Sequence, residues 1–225
     1  MATSGLMFVE SHVRDPEKTP DELFNRYYNE EHLSAVLASP YIKLALRYKP
    51  LGHPGAITSY IALYRVDDTS KFSSRDSPEI LKLIENVKKS KMLECDDVSD
   101  LVHFDLKLYT KIQTYETDTE YRSDNERGRV ISFVQIEAKS DDQDFDYWFR
   151  TQDLDISDMG AGFRRCTRYK SEDSVRPRYL IIVEDNDDLY DSNSRIFREL
   201  YERATVCGLG IYVLIQAQGD TQLRL

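Results

Sequence analysis

The sequence predicts an α+β chain made of two tandem βαββαβ units whose antiparallel sheets pack face to face within one polypeptide. Three observations predict it. An aromatic helix start, Phe24-Asn-Arg-Tyr-Tyr, returns as Phe145-Asp-Tyr-Trp-Phe. The triplet Arg47-Tyr48-Lys49 returns as Arg168-Tyr169-Lys170, at the same offset of 121 residues. The strand-like run Tyr60-Ile-Ala-Leu-Tyr is then matched by Tyr179-Leu-Ile-Ile-Val in the same order. Two matches at one offset and a third in the same order imply duplication, and a repeat of this kind decides the architecture before any local reading.

Each element has its own signal. A strand opens the first half at Leu6 to Val13, and the Pro16 and Pro20 region forms a loop. A helix is expected from Asp21 to Leu37, with Thr19 or Asp21 as cap and Pro20 near the first turn. Its apolar stripe, Phe24, Tyr27 or Tyr28, Leu33, Val36 and Leu37, follows a 3.6-residue period. Ser39-Pro40 stops it. Strands follow at Ile42 to Tyr48 and Ser59 to Val66, separated by a Gly52-His53-Pro54-Gly55 turn cluster. A second helix at Pro78 to Lys91 and a strand at Leu101 to Ile112 complete the half. The second half is read as strands Arg129 to Ala138, Phe163 to Tyr169, Tyr179 to Glu184 and Leu209 to Ala217. Its helices are Gln143 to Ile156 and Ser192 to Val206. The expected domains are residues 1–114 and 129–225, joined by a polar linker at 115–128.

Strand-helix-strand-strand-helix-strand is the ferredoxin-like order. Two helices cover one face of such a sheet and leave the other bare, so a second copy must cover it. The two halves can do this within the chain, as an intramolecular version of the dimeric α/β-barrel. The chain is then a pseudo-dimeric monomer, or a homodimer of such monomers.

Composition limits the function classes. The chain has 225 residues, 40% hydrophobic and 31% charged, enough for packed cores. Thirty basic residues against 40 acidic give a net charge of -10, with no basic cluster for nucleic acid or an anionic membrane. No run approaches the roughly 18 apolar residues of a spanning helix, and the N-terminus lacks a signal-peptide pattern. A soluble cytoplasmic protein is the expectation. Cys95, Cys166 and Cys207 are scattered and lack metal-ligand spacing, so neither a disulfide framework nor a metal site is expected. No Gly-rich dinucleotide fingerprint, Walker loop or Gly-x-Ser-x-Gly elbow occurs, so no cofactor is expected.

Alternation along the strands nominates the chemistry. Met7, Val9, Ser11 and Val13 are expected to face the helices, leaving Phe8, Glu10 and His12 on the other face. On the last strand of the first half, Val102, Phe104, Leu106 and Leu108 face the helices, leaving Leu101, His103, Asp105, Lys107 and Tyr109 opposite. With the usual order 4-1-3-2, His12 and Glu10 lie beside His103 and Asp105. Imidazoles titrate near neutrality and carboxylates can orient them, which suits general acid–base work. His12, His103, Glu10 and Asp105 are the candidate catalytic residues. Ion pairing of the carboxylates with Lys107 is the structural reading of the same residues. Lys107, Phe8, Tyr60, Tyr109 and, from the second half, Tyr212 are candidate contacts to a small-molecule substrate.

The segment Phe24-Asn-Arg-Tyr-Tyr-Asn-Glu-Glu-His-Leu resembles the first helix of EthD-like proteins of the dimeric α/β-barrel superfamily, in a tandem fungal form. Tyr28, Glu31 and His32 match the aromatic, acidic and histidine positions of that motif. Phe8-Val-Glu-Ser-His-Val-Arg-Asp-Pro resembles the strand before it. The proline that follows the motif's histidine is missing here, with Ser34 near its place, and Asp153 replaces His32 in the second half. The resemblance implies that Tyr28 and His32 line the cavity. It also implies an enzyme of secondary metabolism that cyclises, isomerises or decarboxylates a polyketide-like or aromatic molecule without a cofactor, a pericyclase included. Two alternatives stand beside it: a non-catalytic binder of small molecules, and a heme-dependent enzyme with His103 as axial ligand.

Overall fold

The computed structural model describes residues 3–51, 59–73, 76–116, 129–151, 163–171, 176–185 and 195–225. The chain divides into two compact units, Met1–Thr110 with Leu214–Leu225, and Lys111–Val213.

In the first unit the strands are β1 (Gly5–Val13), β2 (Ile42–Pro50), β3 (Tyr60–Val66) and β4 (Val102–Glu116). They are hydrogen-bonded in the order β4-β1-β3-β2, the expected 4-1-3-2. The first helical segment is α1 (Asp21–Tyr27), a π-helical turn at Tyr28–His32, and α2 (Leu33–Leu37). The π turn inserts wider backbone spacing, and both Tyr27 and Tyr28 end up buried where an uninterrupted period offers one or the other. Neither expected cap acts: Pro20 sits at the N-cap without a side-chain bond, because the Asp21 carboxylate is taken by Tyr60 and Asn25. The next helix, α3 (Pro78–Lys88), is capped by Ser77, whose hydroxyl accepts from the Ile80 amide, with Pro78 in its first turn.

Phe24, Tyr27, Tyr28, Leu33 and Val36 of the first helical segment, with Ile80 and Leu83 of α3, pack on Met7, Val9, Ala45, Ala62 and Tyr64 of the sheet. The partly buried Phe104, Leu106 and Leu108 join that layer, as alternation requires. Leu101 packs there too, against expectation, because it precedes β4 at the end of a 3₁₀ turn and escapes the strand's alternation.

In the second unit the strands are β5 (Val130–Ala138), β6 (Phe163–Ser171), β7 (Tyr179–Asp185) and β8 (Ala204–Gly219), hydrogen-bonded in the order β8-β5-β7-β6. Helices α4 (Asp142–Thr151) and α5 (Arg195–Arg203) complete it. Phe145, Trp148 and Phe149 pack on Val134, Ile136, Ile181 and Val183. The C-terminal part of the expected 143–156 helix, Asp153, His53 and most of the 115–128 stretch lie outside the described residues.

Two strands are longer than the sequence suggests. β8 starts at Ala204, directly after α5, rather than at Leu209. β4 runs to Glu116, into the stretch read as linker. Each long strand also divides between the units: Leu214–Leu225 group with the first unit, where the Asp220 amide donates to the Lys43 carbonyl. Lys111–Glu116 group with the second, where Thr114 meets Thr167 on β6.

Candidate active site

Four cross-strand pairs of the β1–β4 ladder carry most of the expected residues. His12 stands opposite His103, Glu10 opposite Asp105, Phe8 opposite Lys107 and Leu6 opposite Tyr109. All point away from the helix layer. The Lys107 ammonium lies 2.9 Å from the Asp105 carboxylate and 3.9 Å from that of Glu10. Burial pushes the Glu10 carboxyl above its usual range; Lys107 opposes the shift and Asp105 adds to it. Phe8 and Tyr109 are fully buried and meet edge to face with centroids 6.5 Å apart.

The histidines form a separate group at the end of the ladder. Their ring centroids are 4.8 Å apart. His103 Nδ1 lies 3.3 Å from an Arg14 guanidinium nitrogen, which can only donate, so Nδ1 accepts. Partial desolvation, then the neighbouring His103 and Arg14, hold the His12 imidazole below its usual range. The expected orientation of the histidines by Glu10 and Asp105 is not seen, since both carboxylates are drawn to Lys107, which shares their face.

Tyr28, His32 and Tyr60 occupy the other face of the sheet, within the helix layer, and so do not line a site with Glu10 and Lys107. His32 is buried, its ring stacked on Phe104 at 5.3 Å and tilted against Tyr28 at 4.4 Å, with Nδ1 3.1 Å from the Tyr27 hydroxyl. Burial, reinforced by the Arg47 charge, pushes its pKa down to about 3. The Glu31 carboxylate accepts from the Ser90 hydroxyl and the Lys91 and Met92 amides, tying the π turn to that loop. Tyr60 donates to Asp21 at 2.6 Å. The motif that carries the resemblance is thus spent on packing. Tyr212 belongs to the second unit, its ring 5.4 Å from that of Phe133.

Sequence reasoning missed two buried arginines, although it used them to find the repeat. Arg47 is fully buried on the helix side, its guanidinium 4.3 Å from the Tyr28 ring centre and 4.5 Å from that of Tyr60. It donates to Asn29 at 3.0 Å. Arg168, its repeat mate, lies 4.5 Å from the Phe149 ring centre and donates to Asp146 at 2.7 Å. The hydrogen bond of Tyr60 to Asp21 also recurs, as Tyr179 to Asp142 at 3.1 Å. The recurring Arg-Tyr-Lys triplet was the signal for this device. A third buried arginine, Arg165, paired with Glu184 at 3.0 Å, had no signal, because a bulge in β6 sets its facing.

No family model matches the chain, and no curated protein matches it. Solved structures do. A proposed monooxygenase of Fusobacterium nucleatum aligns with a TM-score of 0.56 at 9% identity, covering 97% of this chain and 95% of that one. An anthrone oxidase-like protein aligns at 0.52 and 10% identity, over 96% and 93%. A chlorite dismutase of Candidatus Nitrospira defluvii aligns at 0.55 and 8% identity, over 96% and 92%. The chain therefore has the α+β fold of the dimeric α/β-barrel proteins, over nearly its whole length.

The heme-dependent alternative asks for an imidazole with one open nitrogen and the other donating to an acceptor. The described histidines do not fit. His103 presents Nδ1 to a cation and its ring to His12, and His32 is enclosed by Tyr27, Tyr28 and Phe104. Among the described residues no group of three or more His, Cys, Asp or Glu side chains is placed to hold a metal ion. None of the described helices is long and apolar enough to cross a membrane.

Proposed function

We propose that this chain is an EthD-like tandem enzyme that oxidises a small aromatic, polyketide-derived carbon acid with molecular oxygen, using the Glu10–Lys107–Asp105 cluster. The observation that carries the reading is a half-buried carboxylate whose pKa is raised, 3.9 Å from an ammonium that Asp105 holds in place. A carboxylate with a raised pKa is a better base toward a weakly acidic C–H. Lys107 supplies positive charge where an enolate oxygen would develop. For an anthrone, Glu10 takes a proton from the CH2 carbon and the carbanion reduces oxygen to a hydroperoxide on that carbon. Loss of water then leaves a ketone, with one oxygen atom retained and the other released as water.

The likeness to a proposed monooxygenase and an anthrone oxidase-like protein supports oxidation over the cyclisation, isomerisation, decarboxylation or pericyclic reaction that the motif suggests. The likeness to chlorite dismutases supports a heme-dependent version of the oxidative reading, while the surroundings of His103 and His32 oppose it. An oxygen electrode with anthrone as probe tests the proposal. Oxygen uptake should match quinone formed, and Glu10→Gln should lower kcat by about 100-fold or more. Absence of uptake, or uptake unchanged by Glu10→Gln, would overturn it. A Soret band that shifts on titration with hemin, and shifts differently in His103→Ala, would move the reading to heme.

A further inference from the structure

His12 and His103 play no part in that oxidation, and their geometry suggests a different use. They are direct cross-strand partners on neighbouring strands of one sheet, so the backbone ladder fixes their separation. Their centroids lie 4.8 Å apart with the ring planes tilted by 37°. Two imidazoles bound cis to one metal ion have a comparable spacing. With metal–nitrogen bonds of about 2.0–2.1 Å and ring nitrogens roughly 1.1 Å from their centroids, the centroids fall about 4.5–5.2 Å apart. The strand pair therefore pre-sets the distance that a flexible pair of histidines would have to be ordered into. His12 is exposed and His103 half-buried, so an ion can reach them.

We propose that His12 and His103 form a two-imidazole site for a borderline divalent transition metal, Cu2+ or Zn2+. Imidazole selects such ions over Mg2+ and Ca2+, and Cu2+ binds more tightly than Zn2+. The metal takes Nε2 of His103, because Arg14 faces Nδ1. Ligation moves the ring proton from Nε2 to Nδ1, which can then no longer accept from Arg14. That guanidinium must swing away, against its second bond, from Nε to the Ser99 carbonyl. Arg14 thus opposes metal binding through both its bond to Nδ1 and its charge. Water completes the coordination shell and leaves positions open to a ligand.

The experiment uses the full, untagged chain. Zn2+ is titrated calorimetrically, and Cu2+ is followed by electron paramagnetic resonance for splitting from two nitrogens. The expected result is saturable binding with a dissociation constant below about 100 µM, weakened about tenfold or more in both His12→Ala and His103→Ala. Arg14→Gln should bind more tightly than the native chain. Absence of saturable binding in that range, or binding unchanged in either histidine variant, would overturn the proposal. Circular dichroism of the variants separates loss of the site from loss of fold.

Discussion

His32 makes the stability of the first unit depend on pH in a way that can be worked through. In the folded chain its imidazole is buried against Tyr28 and Phe104 and its pKa is pushed down to about 3, while in the unfolded chain it titrates near 6.5. A folded pKa below the unfolded one means that the unfolded state binds more protons as pH falls through this window. The contribution of neutral His32 is complete above about pH 6.5 and is lost progressively toward pH 3. At about pH 5 the unfolded imidazole is nearly all protonated and the folded one nearly all neutral, a difference of about 2 kcal/mol. That figure holds for any folded pKa well below 5, so it does not depend on how far down the value lies. The assay is urea denaturation at about pH 7.5 and about pH 5, on the native chain and on His32→Gln, which cannot titrate. The variant loses packing and is less stable at both values. Its further loss between the two should be smaller than that of the native chain by about 2 kcal/mol. Equal losses in the two proteins would refute the argument and mean that His32 reaches protons in the folded state.

Two further perturbations test the packing. Asp146→Asn removes the charge opposite the buried Arg168 but keeps an acceptor, and should cost about 2–3 kcal/mol in a urea midpoint measurement; adding Arg168→Met should recover part of it. Gly5→Ala places a methyl against the Tyr109 carbonyl oxygen and the Thr69 side chain, so thermal melting should show a loss of about 1–3 kcal/mol.

The sequence could be read well where a residue's position follows from periodicity. Facing along β1 and β4 alternates strictly, so the pairs His12–His103 and Glu10–Asp105 followed from counting residues once the order 4-1-3-2 was assumed. Three things escaped it. The π turn at Tyr28–His32 changes the helical spacing, and no periodic template contains it. The partners of Glu10 and Asp105 depended on which charged neighbour shared their face, and Lys107 reaches both while the histidines engage each other. The strand bounds of β8 were short because Thr205-Val206-Cys207-Gly208 reads as a helix end, yet it pairs with β5 through a bulge.

Comparing the two halves separates what the fold requires from what is free to change. Both keep an arginine buried beneath aromatic rings and a tyrosine bonded to an aspartate at the start of the first helix of the copy. Those features survive in both copies because each closes the helix layer over its own sheet. Position 25 is asparagine in the first copy and its mate, position 146, is aspartate, so Arg168 has a carboxylate within reach of a salt bridge, while Arg47 turns to Asn29, one helical turn on, and to π faces. The face away from the helices diverged further. In the first copy the strands carry Glu10, His12, His103, Asp105 and Lys107, while the second carries Phe133, Gln135 and the Arg165–Glu184 pair. On the proposed oxidation, proton transfer belongs to the copy that carries Glu10 and Lys107, so substitutions at Glu10 or Lys107 should affect turnover far more than substitutions at Gln135. Equal loss from Gln135→Leu and Glu10→Gln in the oxygen-uptake assay would show that the reacting group is held from the second copy instead.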